Sequence, residues 1–277
     1  MPEENKTACQ IHFHVTRYNP ETDSAPYLKT YTIPVHEGMT VLDGLHYIKD
    51  NLDPTLAWRY SCRMGVCGSC GMLLNGSPTL ACNTQVLHIA TRDLTVSPLP
   101  NFQIIRDLVP ALMPMFEKHR SLRPYVVRAD EAELDDPQGE FYQSPHELER
   151  YLQFSYCIKC GCCMAACPTL ATDARYLGPM PLAAAQRYNV DCRDDGRRVR
   201  NALTGSAHGA FRCHYAGECS RVCPKGVDPA KAIQLLKRQL VLHYLHLVRR
   251  KQPCQKLHGP GPGKPLANIP AAPPKTV

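Results

Sequence analysis

Fifteen cysteines in 277 residues make sulfur chemistry the first question this chain raises. Eleven of them fall into three groups. The first is Cys62-x4-Cys67-x2-Cys70, with Cys82 further along. Four thiolates so spaced suit a plant-type 2Fe–2S centre, two irons bridged by two sulfides. A short loop must wrap that centre without pushing side chains into it. Gly65, Gly68 and Gly71 supply the backbone freedom and leave N–H groups able to approach the sulfurs. Structural zinc is the competing reading, but zinc loops usually pair two C-x2-C hooks, and this spacing does not.

The second group, Cys157-x2-Cys160-x2-Cys163-x3-Cys167-Pro168, is the bacterial ferredoxin run. In two-centre proteins the fourth cysteine of that run serves the other centre, so a reciprocal run is required. Cys213-x5-Cys219-x3-Cys223-Pro224 answers it. Crossing the ligands assigns Cys157, Cys160, Cys163 and Cys223 to a 4Fe–4S centre. It leaves Cys167, Cys213 and Cys219 for the other. Regular spacing would place a cysteine at 216, where the chain carries Ala216. Three thiolates make 3Fe–4S the simplest expectation; a four-iron centre completed by water or another ligand is the alternative. Losing an anionic thiolate should also raise that centre's potential. Cys9, Cys162, Cys192 and Cys254 remain, read as buried or incidental thiols.

The elements that must hold these groups divide the chain. Residues 10–18 and 27–35 alternate apolar and polar and predict a β-hairpin turning at Asn19-Pro20. Thr40 is an N-cap for a helix carrying Val41, Leu45 and Ile48 at helical spacing, stopped at Asp53-Pro54. Strands are expected at 71–74, 79–82 and 93–97. Beyond about residue 104 helices are expected at Arg106–His119, Pro145–Phe154, Pro181–Tyr188 and Asp228–Lys251, with an acidic irregular stretch from Asp130 to Gly139. The expected domains are 1–103 (α+β), 104–251 (helical) and a Pro/Gly-rich tail, 252–277. That tail holds seven of the 25 prolines, so no packed core is expected there. A disordered end and an extended strap over a partner are its two readings.

Composition narrows the classes. A net charge of +7 argues neither for a nucleic-acid binder nor for an acidic disordered chain. Fifteen is odd, so not every cysteine can sit in an intramolecular disulfide, and MPEENKTACQ lacks the stretches of a signal peptide. No apolar run approaches the roughly 18 residues that span a bilayer. No Gly-x-Gly-x-x-Gly is present, so flavin or nicotinamide is expected on another chain. Three unlike centres without a catalytic constellation describe a conductor of single electrons.

The stretches RYNPE (17–21), LDGLHYIKDNL (42–52), SCRMGVCGSCGM (61–72), LAC (80–82) and IRDLV (105–109) are long and specific. So are CIKCGCCMAACP (157–168), LGPMPLAAAQRYN (177–189) and CSRVCPKGVDPAKAI (219–233). Through them residues 10–250 resemble the iron–sulfur subunit of succinate:quinone oxidoreductases and quinol:fumarate reductases, more closely the fumarate-reductase type. The resemblance implies a β-grasp 2Fe–2S ferredoxin domain followed by an α-helical ferredoxin domain. It implies a flavoprotein partner carrying FAD and a membrane anchor carrying quinone, sometimes with haem. It also implies peripheral attachment at the cytoplasmic face of the bacterial inner membrane. Electrons would pass between flavin and quinone through 2Fe–2S, 4Fe–4S and 3Fe–4S centres in that order, or the reverse. Pro168, His214, Tyr215, Gln234 and Lys237 would contribute to a quinone pocket beside the three-iron centre.

One departure concerns direction. Succinate-oxidising members often carry an aromatic pair after the first Cys-Pro, where this chain has Leu170, Ala171 and Thr172; its only tryptophan is Trp58. His214 points the other way, towards succinate dehydrogenases. A soluble ferredoxin-like carrier, or an iron–sulfur subunit of another oxidoreductase, is the alternative function. Among lesser features, Ile233, Leu236, Leu240, Tyr244 and Leu247 predict a core-packing face on the last helix, with Lys237, Arg238, Arg249 and Arg250 elsewhere. Arg197, Arg198 and Arg200 read as a solvated basic run, and His12 and His14 as surface strand residues. Arg63, beside a cluster ligand, either tunes the centre by charge or sulfur hydrogen bonding or is simply solvated.

Overall fold

The computed structural model describes residues 9–90, 92–130, 139–247 and 255–257. Strands β1 (Cys9–Arg17) and β2 (Tyr27–Val35) pair antiparallel in the expected hairpin, Phe13 opposite Tyr31. Ile11, Phe13 and Val15 are fully buried, whereas His12 and His14 face outward and bond Thr32 and Thr30. Helix α1 (Val41–Asn51) begins at a reciprocal capping box between Thr40 and Asp43 and buries Val41, Leu45 and Ile48. Gly44 lets α1 settle onto the sheet: a Cβ there would stand 2.6 Å from the Phe13 ring. β3 (Gly71–Leu74), β4 (Ser77–Leu80) and β5 (Asp93–Ser97) complete a five-stranded sheet in the order β2-β1-β5-β3-β4, with β1 and β5 parallel. Strand β4 starts and ends two residues earlier than expected. Ala81–Asn83 turns as a 3-10 helix and carries Cys82 away from the sheet toward the glycine loop. The four-residue helix α2 (Val86–Ile89) precedes β5.

Arg17 explains why its neighbourhood resists being read as local structure. It is buried, and its guanidinium donates to Asp107 (2.9 Å), Asp53 (2.5 Å), Tyr31 (2.7 Å) and Thr55 (2.8 Å). Asp107 also accepts from the backbone N–H groups of Tyr18 and Ala57, so one carboxylate ties three segments together. Burial opposes ionisation of Asp53, but Lys29, Thr55, Tyr31 and Arg17 outweigh it and hold the carboxyl far below its usual range. Its stabilisation is therefore full above about pH 4, the ordinary aspartate value, and fades as pH falls towards the folded-state value. Arg17→Met should cost about 3–5 kcal/mol in urea unfolding, because two carboxylates stay buried with one cation fewer. A loss below about 1 kcal/mol would show that the network does not brace the domain.

The same network overturns the expected helix at 106. Asp107 takes a left-handed φ of 45° to reach Arg17, so 104–110 forms a small hairpin, β6 (Ile104–Arg106) with β7 (Val109–Pro110). Helix α3 starts only at Met113 and ends at Ser121. It is followed by β8 (Glu140–Tyr142), α4 (Pro145–Ser155), α5 (Cys162–Ala165), α6 (Pro168–Thr172) and α7 (Pro179–Asn189). Then come α8 (Arg197–Thr204), α9 (Glu218–Arg221) and α10 (Pro229–Tyr244). Arg200 is not solvated as the basic run suggested. It is fully buried, gripping Asp194 (2.6 Å) and the carbonyls of Leu122 and Tyr125 in the segment that follows α3.

Helix α10 also stops short of its expected end, capped by a turn in which His246 is left-handed. Ile233, Leu236 and Leu240 pack in the core, but Tyr244 and Leu247 are exposed. Arg249, Arg250 and Cys254 lie outside the described residues. Gln255–Leu257 forms β9, antiparallel to β8, so that part of the tail pairs with its own chain. Cys192, read as a thiol, is disulfide-bonded, which corrects that expectation. Cys9 is exposed and Cys162 buried, both as free thiols. Among the described residues no helix is long and apolar enough to cross a membrane.

Candidate metal centres

The glycine loop 62–71 is folded around its own sulfurs. Cys62 Sγ accepts N–H groups from Met64 (3.5 Å), Val66 and Cys67 (both 3.3 Å). Gly65 donates to Cys82 (3.3 Å), Ser69 and Cys62 to Cys67, and Cys82 to Cys70 (3.5 Å each). All four sulfurs thus receive backbone donors. Left-handed Arg63, Gly65 and Gly68 aim them, with φ of 57°, 68° and 76°. The N–H groups of Met64, Cys67 and Val66 pull the Cys62 thiol down to about 6, whereas burial pushes Cys70 up to about 12. Such a nest is built for negative charge on sulfur.

The two later runs are conformational copies. Two residues after Cys157 and Cys213 stand Lys159 (φ 57°) and Tyr215 (φ 61°), both left-handed. Two further on stand Gly161 (φ 87°) and Gly217 (φ 79°), each leading a four-residue helix, α5 or α9. Cys160 and Ala216 occupy the same step of these loops. The alanine therefore replaces a side chain in an otherwise unchanged frame.

Each run contributes to both hollows. One open pocket, of about 400 Å³, is lined by Cys157, Cys160, Cys163 and Cys223, with Met180, Val227 and the Pro224–Lys225 turn. The other, of about 330 Å³, is lined by Cys167, Cys213 and Cys219, with Ala216, Tyr176 and Ile233. Among the described residues no three His, Cys, Asp or Glu side chains close on a single ion; the sulfurs instead rim these hollows. Two observations test whether a cluster suits them. Burial pushes Cys163 well above its usual value and Cys219 up to about 11, so thiolates there need a cationic metal to be stable. Among the described residues, the Tyr176 hydroxyl, buried against the second hollow, has no hydrogen-bond partner. Both suit iron bridged by sulfide, whose anionic sulfurs would accept that donor.

The three sulfur groups adjoin in sequence. Gly68 packs so tightly on the second loop that a Cβ would stand 2.9 Å from the Cys160 Cα. Cys163 and Cys219 lie close enough for each charge to oppose the other. The neighbouring Cys162 thiol helps to hold the Cys160 thiol down to about 7, and Cys162 does not line the pocket.

Of the residues assigned by resemblance to a quinone pocket, Pro168 and Tyr215 line the second hollow, and both are exposed. His214 is exposed but outside that lining. Lys237 donates to the Cys213 carbonyl (2.8 Å), and the buried Gln234 amide nitrogen has no hydrogen-bond partner among the described residues. Supporting residues gave no signal in the sequence. Asn101 donates to the carbonyls of Met164, Ala165 and Cys167 (3.0–3.1 Å), fixing the end of α5 from the far domain. Asp173 binds His208 and Arg212 (3.1 Å each), while Lys118 holds the carbonyls of Ala174 and Tyr176, so 173–176 is braced beside the second hollow.

Comparison with known proteins finds two family matches along the chain. Residues 12–117 match the 2Fe-2S iron-sulfur cluster binding domain, and 153–227 match the 4Fe-4S dicluster domain. A fumarate reductase iron-sulfur subunit of Mycobacterium tuberculosis is 48% identical over 85% of this chain and 95% of its own length. The Haemophilus influenzae subunit of the same name is 43% identical over 85% and 94%. A chain of the solved Mycobacterium smegmatis Sdh1 complex in the apo form superposes with a TM-score of 0.76. It is 25% identical over 86% of this chain and 98% of that one.

Proposed function

The chain belongs to the family of fumarate reductase and succinate dehydrogenase iron–sulfur subunits, part of an oxidoreductase complex, and from that premise we propose how it works. It relays electrons between the FAD of a flavoprotein subunit and a membrane quinone. Bound clusters supply the one-electron steps; the residues of this chain supply their sites, order and electrostatics. Cys62, Cys67, Cys70 and Cys82 hold the 2Fe–2S centre, and Cys157, Cys160, Cys163 and Cys223 the 4Fe–4S centre. Cys167, Cys213 and Cys219 would hold a 3Fe–4S centre in the hollow that Ala216 also lines.

The observation carrying this reading is the contiguity of three sulfur-lined sites, the middle one touching both others. Pro168 and Tyr215 shape the mouth of the last site, and Lys237 braces its Cys213 backbone while His214 and Gln234 supply polar groups nearby. A quinone on the anchor subunit would be received there. The chain then sits peripherally, at the cytoplasmic face of the membrane. Succinate and fumarate chemistry then falls to the flavoprotein.

The test uses the intact complex. Succinate, then quinol, is titrated anaerobically while EPR follows each centre. Three distinct signals responding to both donors are expected. Signals that answer neither donor would favour a ferredoxin-like carrier serving another oxidoreductase.

A further inference from the structure

We infer that Tyr60 is a positioning residue for the first centre: its ring holds the guanidinium of Arg63, the residue next to Cys62 in the chain, and the fixed charge raises that centre's reduction potential. This rests on reading Cys62, Cys67, Cys70 and Cys82 as 2Fe–2S ligands.

Arg63 is left-handed, φ 57°, a conformation that favours glycine. The turn is needed, because it sends the Met64 N–H onto Cys62 Sγ. Glycine would make it without strain, as at 65 and 68, yet position 63 keeps a long cationic side chain. That side chain is exposed, and among the described residues no carboxylate forms an ion pair with it. Its guanidinium stands 5.3 Å from the centroid of the Tyr60 ring, a cation–π distance.

The ring is itself held. Tyr60 meets His46 edge-on at 4.6 Å and stacks on Trp58 at 6.0 Å, and His46 meets Trp58 at 5.1 Å. His46 belongs to α1, whose apolar face is buried in the sheet, so the platform is anchored in the core. Burial and the Arg63 charge both disfavour protonation of His46, in keeping with a guanidinium held over the Tyr60 ring that His46 meets edge-on. The sulfurs on this edge, Cys62 and Cys67, are the accessible ones, whereas Cys70 and Cys82 are buried.

Reducing a centre held by these thiolates adds one electron, from the flavin of the partner, and moves no proton. The added negative charge is attracted by a cation held nearby, so the reduced state gains and the potential rises. Arg63 donates to no sulfur in the hydrogen bonds found, so charge is the operative term.

EPR-monitored redox titration of the 2Fe–2S signal in the intact complex tests this. Arg63→Gln should lower the potential, changing the oxidised-to-reduced ratio at fixed ambient potential roughly three- to tenfold, up to about 59 mV for one electron. Tyr60→Leu should shift it in the same direction and Tyr60→Phe should not. Tyr60→Leu should add nothing once Arg63→Gln is present, and high salt should shrink both shifts. An unchanged potential in Arg63→Gln, or a Tyr60→Leu shift that persists undiminished beside it, overturns the inference. Should Arg63→Gln fail to assemble the centre, Arg63→Lys and the salt dependence of the unaltered complex decide, and a potential insensitive to salt counts against it. Absence of any 2Fe–2S signal in the unaltered complex would instead defeat the ligand reading.

Discussion

Replacing Ala216 by cysteine should convert the proposed three-iron centre to a four-iron one and abolish its three-iron EPR signal. The frame for this change already exists. Position 216 is the counterpart of Cys160, between a left-handed residue and a left-handed glycine, and it lines the hollow shared by Cys167, Cys213 and Cys219. A cysteine there would add a fourth thiol to that hollow on a backbone already shaped like the loop that carries Cys160. Iron per chain should rise by about one, and a fourth anionic thiolate should lower the centre's potential within the wide range such clusters span. A less oxidising last centre accepts electrons less readily, so succinate-driven quinone reduction should fall more than flavin reduction. If iron content and EPR spectrum match the unaltered protein, position 216 is not the missing ligand.

The second large effect concerns the crossing of ligands between runs. Cys223→Ser should damage the four-iron centre selectively, although Cys223 belongs to the second run. Cys167→Ser should damage the three-iron centre, although it belongs to the first. Pocket lining supports this pairing: Cys223 faces Cys157, Cys160 and Cys163, and Cys167 faces Cys213 and Cys219. Each variant should lose most of one EPR signal while the 2Fe–2S signal persists, because the glycine loop has its own bonds to all four sulfurs. Loss of signals within a run, Cys167 with the four-iron centre for instance, would mean that the runs are not interleaved.

The cysteine spacings were legible because cluster ligation is a local constraint. Three sulfurs in a short loop need fixed intervals and small residues between them, and both are visible in the chain. Helix α1 was legible for a similar reason, since its apolar period and capping box lie within a dozen residues. What could not be read depends on distant partners. Asp107 leaves the helix its neighbours suggest because Arg17, ninety residues earlier, draws it into a turn. Arg200 looks like a surface cation until Asp194 and the carbonyls after α3 surround it. Asn101 fixes α5 across the domain boundary, and nothing nearby announces that role. Tyr60 and Arg63 are close in sequence, but their pairing follows from a left-handed turn that spacing alone does not reveal.

Anaerobic metal and sulfide analysis of the assembled chain is the most direct measurement. With 2Fe–2S, 4Fe–4S and 3Fe–4S centres all present, about nine irons and about ten acid-labile sulfides should accompany each polypeptide. Zinc in place of iron, or iron without matching sulfide, would contradict the reading of these three cysteine groups as a path for electrons.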